Sequence, residues 1–188
     1  MPCNACPTPD ADPGQGLRLD LADEAATAAL AGLIAPGIGP GFVLHLSGDL
    51  GAGKTTFTRA LLRALGHTGR VRSPTFTLAE PYTLSRFDLY HFDFYRFSNP
   101  DEWRDAGFEE ALDGDVAAVV EWPEKAGDSL PRPDLRVQLA PLPDPGARRA
   151  QLFAGTDRGR ACLSTVARGL ALDAPAGICC SEPSAPPC

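Results

Sequence analysis

Residues 48–65 read GDLGAGKTTFTRALLRAL, and this stretch decides how the fold is interpreted. Three of its first six residues are glycine, and the run from residue 54 onwards has apolar positions at helical spacing. The preceding residues 42–48, FVLHLSG, form an apolar, strand-like run. The sequence therefore predicts a buried strand, a glycine-rich turn and a helix in direct succession, and the turn holds one of the chain's two lysines.

The turn has the spacing of a phosphate-binding loop. Residues 48–55 match G-x-x-x-x-G-K-[ST] between a predicted strand and a predicted helix. Glycines let backbone N–H groups converge on one point, and the helix N-terminus adds partial positive charge. We expect the loop to hold a di- or triphosphate, with Lys54 reaching the β- and γ-phosphates and the Thr55 hydroxyl binding Mg²⁺. The predicted nucleotide-binding residues of this stretch are Gly48, Asp49, Leu50, Gly51, Ala52, Gly53, Lys54, Thr55 and Thr56.

Such a loop also needs acids at the ends of neighbouring strands, to hold Mg²⁺ and to place a water molecule. Asp93 lies within the aromatic run YHFDFYRF, where a carboxylate is costly unless it is paired or near a metal. Glu121 ends a buried strand, and that end faces the usual ligand crevice of an α/β sheet. Asp93 and Glu121 are therefore candidates for a role at the nucleotide or the metal, and together with Lys54 they are the predicted catalytic residues. The alternatives are a salt bridge from Asp93 to Arg96 and an exposed strand end at Glu121.

Further polar and aromatic residues lie near these motifs. Thr75, in SPTFTLAEPY, is a candidate sensor of the γ-phosphate, and a Ser-Pro turn that leads into a strand is an equal alternative. His91 would share a strand face with the acid two residues later, and we expect a packed, hydrogen-bonded histidine there rather than a base. Lys125 is a candidate nucleotide-binding residue, with a solvated loop lysine as the alternative. We expect Trp122 in the core or at an interface.

The rest of the chain alternates helix and strand patterns. The other predicted strands cover residues 17–21, 77–84, 89–97 and 115–122, with a closing β-hairpin at 134–142 and 148–154. The predicted helices cover 23–35 with Asp23 as cap, 54–65, 99–112 as one or two short helices, and 159–172 as a marginal helix. This order favours an α/β fold, a P-loop NTPase-like three-layer sandwich with a mostly parallel central sheet and antiparallel edge strands.

The predicted domain organisation has one folded unit between two tails. We predict a P-loop ATPase domain over residues 17–155, preceded by a disordered N-terminal tail over residues 1–16. Residues 156–188 would hold the last helix and a disordered tail rich in cysteine and proline. The cysteines are Cys3, Cys6, Cys162, Cys179, Cys180 and Cys188. We expect them to be exposed, reduced thiols, and a zinc site formed by the first two with Cys179 or Cys180 is the alternative.

Composition limits the classes of partner. The chain has 188 residues and a formal net charge of −7, whereas a protein that binds nucleic acid by itself would usually be basic. Any RNA contact is therefore expected to need a partner. No apolar run approaches the length of a membrane span, and the N-terminal sequence MPCNACPTPDADPGQG lacks the basic start and apolar core of a secretory signal. We predict a cytoplasmic protein without membrane contact.

Four motifs together resemble the bacterial TsaE family. They are GDLGAGKTT, SPTFTLAEPY, YHFDFYRF and VEWPEK, in this order and at this spacing, and the resemblance runs through residues 17–155. The resemblance implies a small ATPase of the system that makes threonylcarbamoyladenosine (t6A) in tRNA. It implies slow ATP hydrolysis and association with the TsaB–TsaD pair, which transfers the threonylcarbamoyl group. Contact with tRNA would then be indirect, through the partner complex.

The same resemblance implies roles for individual residues. Thr55 and Glu121 would be the Mg²⁺ ligands, and residues 48–55 would hold the phosphates. Asp93 would act in hydrolysis, with Thr75 as the sensor of a switch-like segment. The family's nucleotide pocket is also lined near the first helix, which adds Glu24 to the predicted nucleotide-binding residues.

Two other functions are compatible with a phosphate-binding loop. A small-molecule kinase would need an acceptor pocket and an arginine-bearing lid, for which Arg70, Arg72 and Arg86 are the candidates. A nucleotide-gated binding module would regulate its partner by ATP occupancy without essential hydrolysis. A GTPase is disfavoured because the guanine-reading sequence N-K-x-D is missing.

Overall fold

The computed structural model describes residues 16–112 and 114–181, apart from the side chains of residues 110 and 111. The strands are β1 Leu17–Leu21, β2 Val43–Ser47, β3 Ala79–Thr83, β4 Asp88–Asp93, β5 Ala117–Glu121, β6 Leu135–Pro141, β7 Arg148–Ala154 and β8 Ile178–Cys180. The helices are α1 Glu24–Ile34, α2 Lys54–Ala64, α3 Glu102–Asp105, α4 Glu109–Leu112 and α5 Asp157–Leu172. Two 3₁₀ turns cover Ala35–Gly37 and Pro123–Ser129.

The strands form one mixed sheet in the order β3-β4-β5-β2-β6-β7-β1-β8. Its four central strands, β4, β5, β2 and β6, run parallel. β3 is antiparallel to β4 at one edge, and β7, β1 and β8 continue antiparallel at the other. The predicted parallel centre with antiparallel edge strands is confirmed, and so is the closing hairpin, formed by β6 and β7. The antiparallel part is larger than predicted, because four of the seven pairings among the described strands are antiparallel.

Two apolar clusters cover opposite faces of the sheet and create the three predicted layers. The larger cluster packs α1, α2 and α5 against one face, and the smaller one packs α3, α4 and the second 3₁₀ turn against the other. Successive residues of β5 alternate between them, with Val119 in the first and Val120 in the second. The central strand β5 is thus apolar at every position before Glu121, its last residue, and an acid at that position stands out in the sequence.

The helices begin and end close to the predicted residues. The carboxylate of Asp23 caps α1 by accepting a hydrogen bond from the Ala26 N–H at 2.8 Å. The last helix, predicted as marginal, is a full 16-residue helix with Thr156 as its cap, and it buries Leu163 and Val166 in the larger cluster. None of the helices in the described part of the chain has the length and apolar character that a bilayer crossing requires.

Two predicted boundaries are wrong. The strand predicted at 89–97 ends at Asp93. The Phe94 N–H makes the last ladder bond, to the Glu121 carbonyl at 3.1 Å, and the Tyr95 N–H then bonds the Asp93 carboxylate at 3.0 Å instead of a neighbouring strand. The predicted disordered tail is wrong for residues 178–180, which form β8 beside β1. Ile178 and Cys180 are buried against the core, and this apolar burial offsets the entropy of ordering three residues. Residues 1–15 and 182–188 of the predicted tails lie outside the described residues.

The prediction of exposed cysteines is also wrong in part. Cys162 lies on the buried face of α5, at 2% exposure, and Cys180 is buried in β8. Burial raises the pKa of the Cys162 thiol to about 11, and the charge of Asp134 adds to this effect. Its thiol is therefore a core group at neutral pH. No cluster of metal-ligating side chains occurs within residues 16–112 and 114–181, and Cys3 and Cys6 of the alternative zinc site lie outside these ranges.

A second buried group predicts how stability changes with pH. His45 in β2 is 5% exposed, and burial, assisted by the charge of Arg136, lowers its pKa to about 4. The unfolded chain binds this proton near pH 6.5, so stability is complete above that pH and falls as the pH drops towards 4. We expect His45 to account for a loss of about 2 kcal/mol between pH 7 and pH 5. Urea unfolding of the wild type and His45→Phe at both pH values measures it, and equal losses in both proteins would contradict it.

Candidate functional site

The glycine-rich turn connects β2 to α2, as its motif predicts, and its backbone requires glycine at two points. Gly48 has a φ of 140°, and a Cβ there would lie 2.2 Å from the carbonyl oxygen of Leu139. Gly53 is the N-cap residue of α2 and is left-handed, with a φ of 102°, and a Cβ there would approach the Arg148 Nε to 3.0 Å. Any side chain at these positions is strained and displaces a neighbour. The observed turn of the loop therefore requires glycine at these two positions.

Lys54 begins α2, and its side chain folds back inside the loop. Its Nζ donates to the carbonyl oxygens of Gly48 at 2.6 Å and Asp49 at 3.0 Å, and lies 3.7 Å from the centroid of the Trp122 ring. Burial lowers the pKa of Lys54, and nearby acids, Glu121 first, oppose this shift. The ammonium group is thus already held next to the backbone that would surround a phosphate.

The carboxylate of Glu121 lies beside the hydroxyl of Thr55. Thr55 Oγ1 is 3.2 Å from one carboxylate oxygen, and the other oxygen accepts from His91 at 2.8 Å and Thr58 at 3.3 Å. Glu121 is 2% exposed, so the alternative of an exposed strand end is excluded. A hydroxyl and a carboxylate side by side offer the hard oxygen ligands that Mg²⁺ takes. These two residues therefore fit the predicted ion.

Asp93 lies opposite Glu121 in the paired strands β4 and β5. One oxygen accepts from the Thr75 hydroxyl at 2.9 Å, and the other accepts from the Tyr95 N–H at 3.0 Å. The alternative salt bridge to Arg96 is absent from the part of the chain that the structure describes, because that guanidinium stacks over the Phe76 ring at 4.5 Å. Asp93 is therefore held by hydrogen-bond donors that carry no net charge.

The sheet topology explains why residues so far apart in sequence meet here. β2, β5 and β4 are adjacent and parallel, so their carboxyl ends lie on the same edge. These ends deliver the phosphate-binding loop, Glu121 and Asp93, and the SPTF segment adds Thr75 through its hydrogen bond to Asp93. The predicted site residues that the structure brings together are Gly48, Lys54, Thr55, Thr75, Asp93 and Glu121. The loop between the first two contains Asp49, Leu50, Gly51, Ala52 and Gly53. Thr56 lies in the first turn of α2.

Two predicted nucleotide-binding residues are not joined to this cluster. Glu24 is exposed in the first turn of α1, and Lys125 is exposed in the 3₁₀ turn that follows Trp122. Within the described ranges, neither side chain forms a hydrogen bond or an ion pair. Their assignment to the nucleotide site stays a prediction.

Two further residues at the site were not identified from the sequence. Trp122 has a left-handed backbone with a φ of 58°, which is unusual for a bulky residue, and its ring contacts Lys54 and Tyr95. Arg148 lies against Gly53 and donates to the Thr27 hydroxyl at 3.3 Å, linking the loop to α1. Trp122 could have been noticed because it directly follows Glu121, but Arg148 begins a distant strand and has no local signal.

The sheet order and the strand–loop–helix corner define an α/β protein of P-loop-like architecture. The sequence model of one family, described as threonylcarbamoyl adenosine biosynthesis protein TsaE, matches residues 21–149. The chain belongs to the TsaE family. The matched range contains every residue of the cluster described above.

Relatives in sequence and structure agree with this family. The tRNA threonylcarbamoyladenosine biosynthesis protein TsaE of Haemophilus influenzae is 41% identical over 122 residues, which are 65% of this chain and 76% of that protein. The Bacillus subtilis protein of the same name is 44% identical over 113 residues, 60% of this chain and 70% of that protein. The crystal structure of Bacillus subtilis YdiB aligns with a TM-score of 0.69 and 32% identity, covering 82% of this chain and 95% of that one.

Proposed function

We propose that this protein binds ATP with Mg²⁺, hydrolyses it slowly, and thereby supports t6A modification of tRNA by a TsaB–TsaD transferase. The observation that carries the proposal is the convergence of the Thr55 hydroxyl and the buried Glu121 carboxylate beside a glycine-rich loop, in a chain of the TsaE family. TsaD and TsaB are the proposed partners, and with a net charge of −7 the protein would meet tRNA only through them.

Each residue of the cluster has a proposed part in ATP binding. The N–H groups of residues 48–55 and the Lys54 ammonium would hold the β- and γ-phosphates. Thr55 and Glu121 would hold Mg²⁺, which when bound neutralises charge on the phosphates. Asp93 would accept a proton from, or orient, the attacking water, because it lies opposite Glu121 at the sheet edge from which the loop also starts.

The geometry around Asp93 supports slow hydrolysis in the isolated protein. Both of its oxygens already accept hydrogen bonds, from Thr75 and from the Tyr95 N–H. Each oxygen keeps a second lone pair, but a carboxylate that already accepts two hydrogen bonds accepts a water proton less readily. Release of the Thr75 contact by movement of its segment would therefore make Asp93 a better acceptor. Phe76 in this segment is 84% exposed, which leaves an apolar ring that a partner can contact and use to move it.

Reconstitution with TsaB and TsaD tests this proposal. We expect the protein to co-purify with the TsaB–TsaD pair more strongly with ATP than without it, and to be required for more than one round of tRNA modification. Rapid ATP turnover without partners, or full repeated modification without this protein, would contradict the proposal. Glu121→Gln should bind ATP but support at most one round, because the metal ligand that hydrolysis needs is lost.

The same variant separates the ATPase from a nucleotide-gated module. The observation that favours the module is that both Asp93 oxygens already accept hydrogen bonds. A site in this state could bind ATP before Asp93 is ready to act on water. A Glu121→Gln protein that does not hydrolyse ATP and still supports repeated modification would establish the module. The kinase alternative has no comparable support, since Arg86 lines a cavity beside the last residues of α1 and α2, at the opposite end of α2 from the loop.

A further inference from the structure

His91 is the partner of the Glu121 carboxylate that the proposed ATP cycle does not use. Its Nε2 lies 2.8 Å from Oε1 of Glu121, and the two side chains are 0% and 3% exposed. An ionised carboxylate only accepts hydrogen bonds, so the Nε2 of His91 is the donor. The expected packed, hydrogen-bonded histidine is confirmed, and its partner is the proposed metal ligand.

The two oxygens of Glu121 have different surroundings. Oε1 accepts from His91 at 2.8 Å and from the Thr58 hydroxyl at 3.3 Å, whereas Oε2 faces the Thr55 hydroxyl at 3.2 Å. A terminal carboxylate torsion is broad by itself and does not fix which oxygen points where. The proton of Thr58 is shared with the Lys54 carbonyl oxygen at 3.1 Å, so His91 is the undivided donor to Oε1. This donor turns Oε2 towards the hydroxyl that would share the Mg²⁺ ion.

The strand register makes this contact possible. His91 lies opposite Val119 of β5, and Asp93 lies opposite Glu121, so the histidine sits one diagonal step behind the pair of acids on the same face. Long or aromatic side chains span such a diagonal. The imidazole is long enough to place a donor on Glu121 without entering the space beside Thr55.

Packing alone does not account for a histidine at this position. Its second ring nitrogen, Nδ1, is buried without a hydrogen-bond partner among the residues that the structure describes. Leaving a buried polar atom unsatisfied destabilises the folded protein, and an apolar ring of similar shape would avoid that cost. The hydrogen bond to Glu121 is the one feature of this side chain that a phenylalanine cannot reproduce.

We propose that His91 is a positioning residue that holds Glu121 in the orientation required for Mg²⁺ binding. This inference rests on the proposed function, because it concerns the ion that accompanies the nucleotide. Hydrogen-bond partners of metal ligands orient those ligands, and their removal typically weakens metal affinity by about 10- to 100-fold. His91 acts through Glu121 and touches neither the nucleotide nor the ion.

Calorimetric titration of ADP, with and without Mg²⁺, tests the inference. In the wild type, Mg²⁺ should increase ADP affinity. In His91→Phe, which keeps the ring and removes the donor, we expect the Mg²⁺-dependent increase to shrink by about 10- to 100-fold, with Mg²⁺-free ADP binding unchanged. His91→Gln restores a donor near the Nε2 position and should recover most of the increase. A purely structural role would lower thermal stability and leave the Mg²⁺ effect intact.

His45 supplies a matched control. It is also a buried strand histidine, but it points to the opposite face from its neighbours Leu44 and Leu46, which belong to the larger cluster. His45→Phe should keep the full Mg²⁺ effect at pH 7.5. A full Mg²⁺ effect in His91→Phe would overturn the inference.

A second pair of variants covers the case in which His91→Phe does not fold. Glutamine at this position reaches Glu121 and asparagine does not, so equal Mg²⁺ effects in His91→Gln and His91→Asn would also overturn the inference. Failure of the wild type to bind ADP at all would overturn the proposed function itself, which is a different and recognisable result.

Discussion

Lys54→Ala should bind ATP about 10- to 100-fold more weakly than the wild type, because a charge-assisted hydrogen bond to phosphate contributes about 1.5–3 kcal/mol. In the structure the ammonium is already inside the loop, held by the carbonyl oxygens of Gly48 and Asp49 and by the Trp122 ring. Binding would exchange these contacts for phosphate oxygens without a large movement of the side chain. Isothermal titration with ATP and Mg²⁺ measures the loss.

Arg59→Ala is the matched control for this variant. Arg59 lies on the same helix, is exposed, and removes one positive charge without touching the loop. Its ATP affinity should stay close to that of the wild type. An ATP affinity that is equal in Lys54→Ala and in the wild type would contradict both the role of Lys54 and the phosphate-binding assignment of the loop.

Asp93→Asn should leave ATP binding nearly unchanged and slow hydrolysis by about 100-fold or more, since a positioned acid–base group contributes about 10²- to 10⁴-fold. Asparagine keeps the size of the side chain and an oxygen that can accept from Thr75 or from the Tyr95 N–H. It removes the charge that would draw a proton from water. Single-turnover hydrolysis with the partner proteins present measures the effect.

Asp88→Asn tests whether the effect is specific. Asp88 is the first residue of the same strand, is exposed, and lies five residues before Asp93 at the other end of β4. Its hydrolysis rate should equal that of the wild type. A wild-type rate in Asp93→Asn would restrict Asp93 to holding the Thr75 segment.

The parts of the site that are local in sequence could be predicted. The loop and the start of α2 follow from the eight consecutive residues 48–55, because their spacing of glycines and lysine is specific to phosphate-binding loops. Asp93 and Glu121 could be predicted because an acid at the end of an apolar strand contradicts its surroundings. The sequence does not show that Asp93 lies opposite Glu121, because this register depends on the parallel pairing of β4 and β5.

The remaining features depend on contacts that no local pattern encodes. Arg148 reaches Gly53 and Thr27 only because β7 lies two strands from β2 in the sheet. The left-handed backbone of Trp122 depends on a turn after β5 that leads into a 3₁₀ segment. β8 was hidden by the proline-rich composition around it, since three residues with two buried side chains give too short a pattern to recognise.

The short strand β8 has a consequence for how molecules of this protein meet one another. Without it, β1 would present a row of open backbone donors and acceptors along the sheet border, which is a template for pairing with another chain. The three residues of β8 pair with the outer side of β1. The new sheet edge, β8 itself, is only three residues long and is too short for a strand of another molecule to pair with. This strand thus opposes self-association at the margin of the sheet farthest from β3, and it leaves the proposed ATP site untouched.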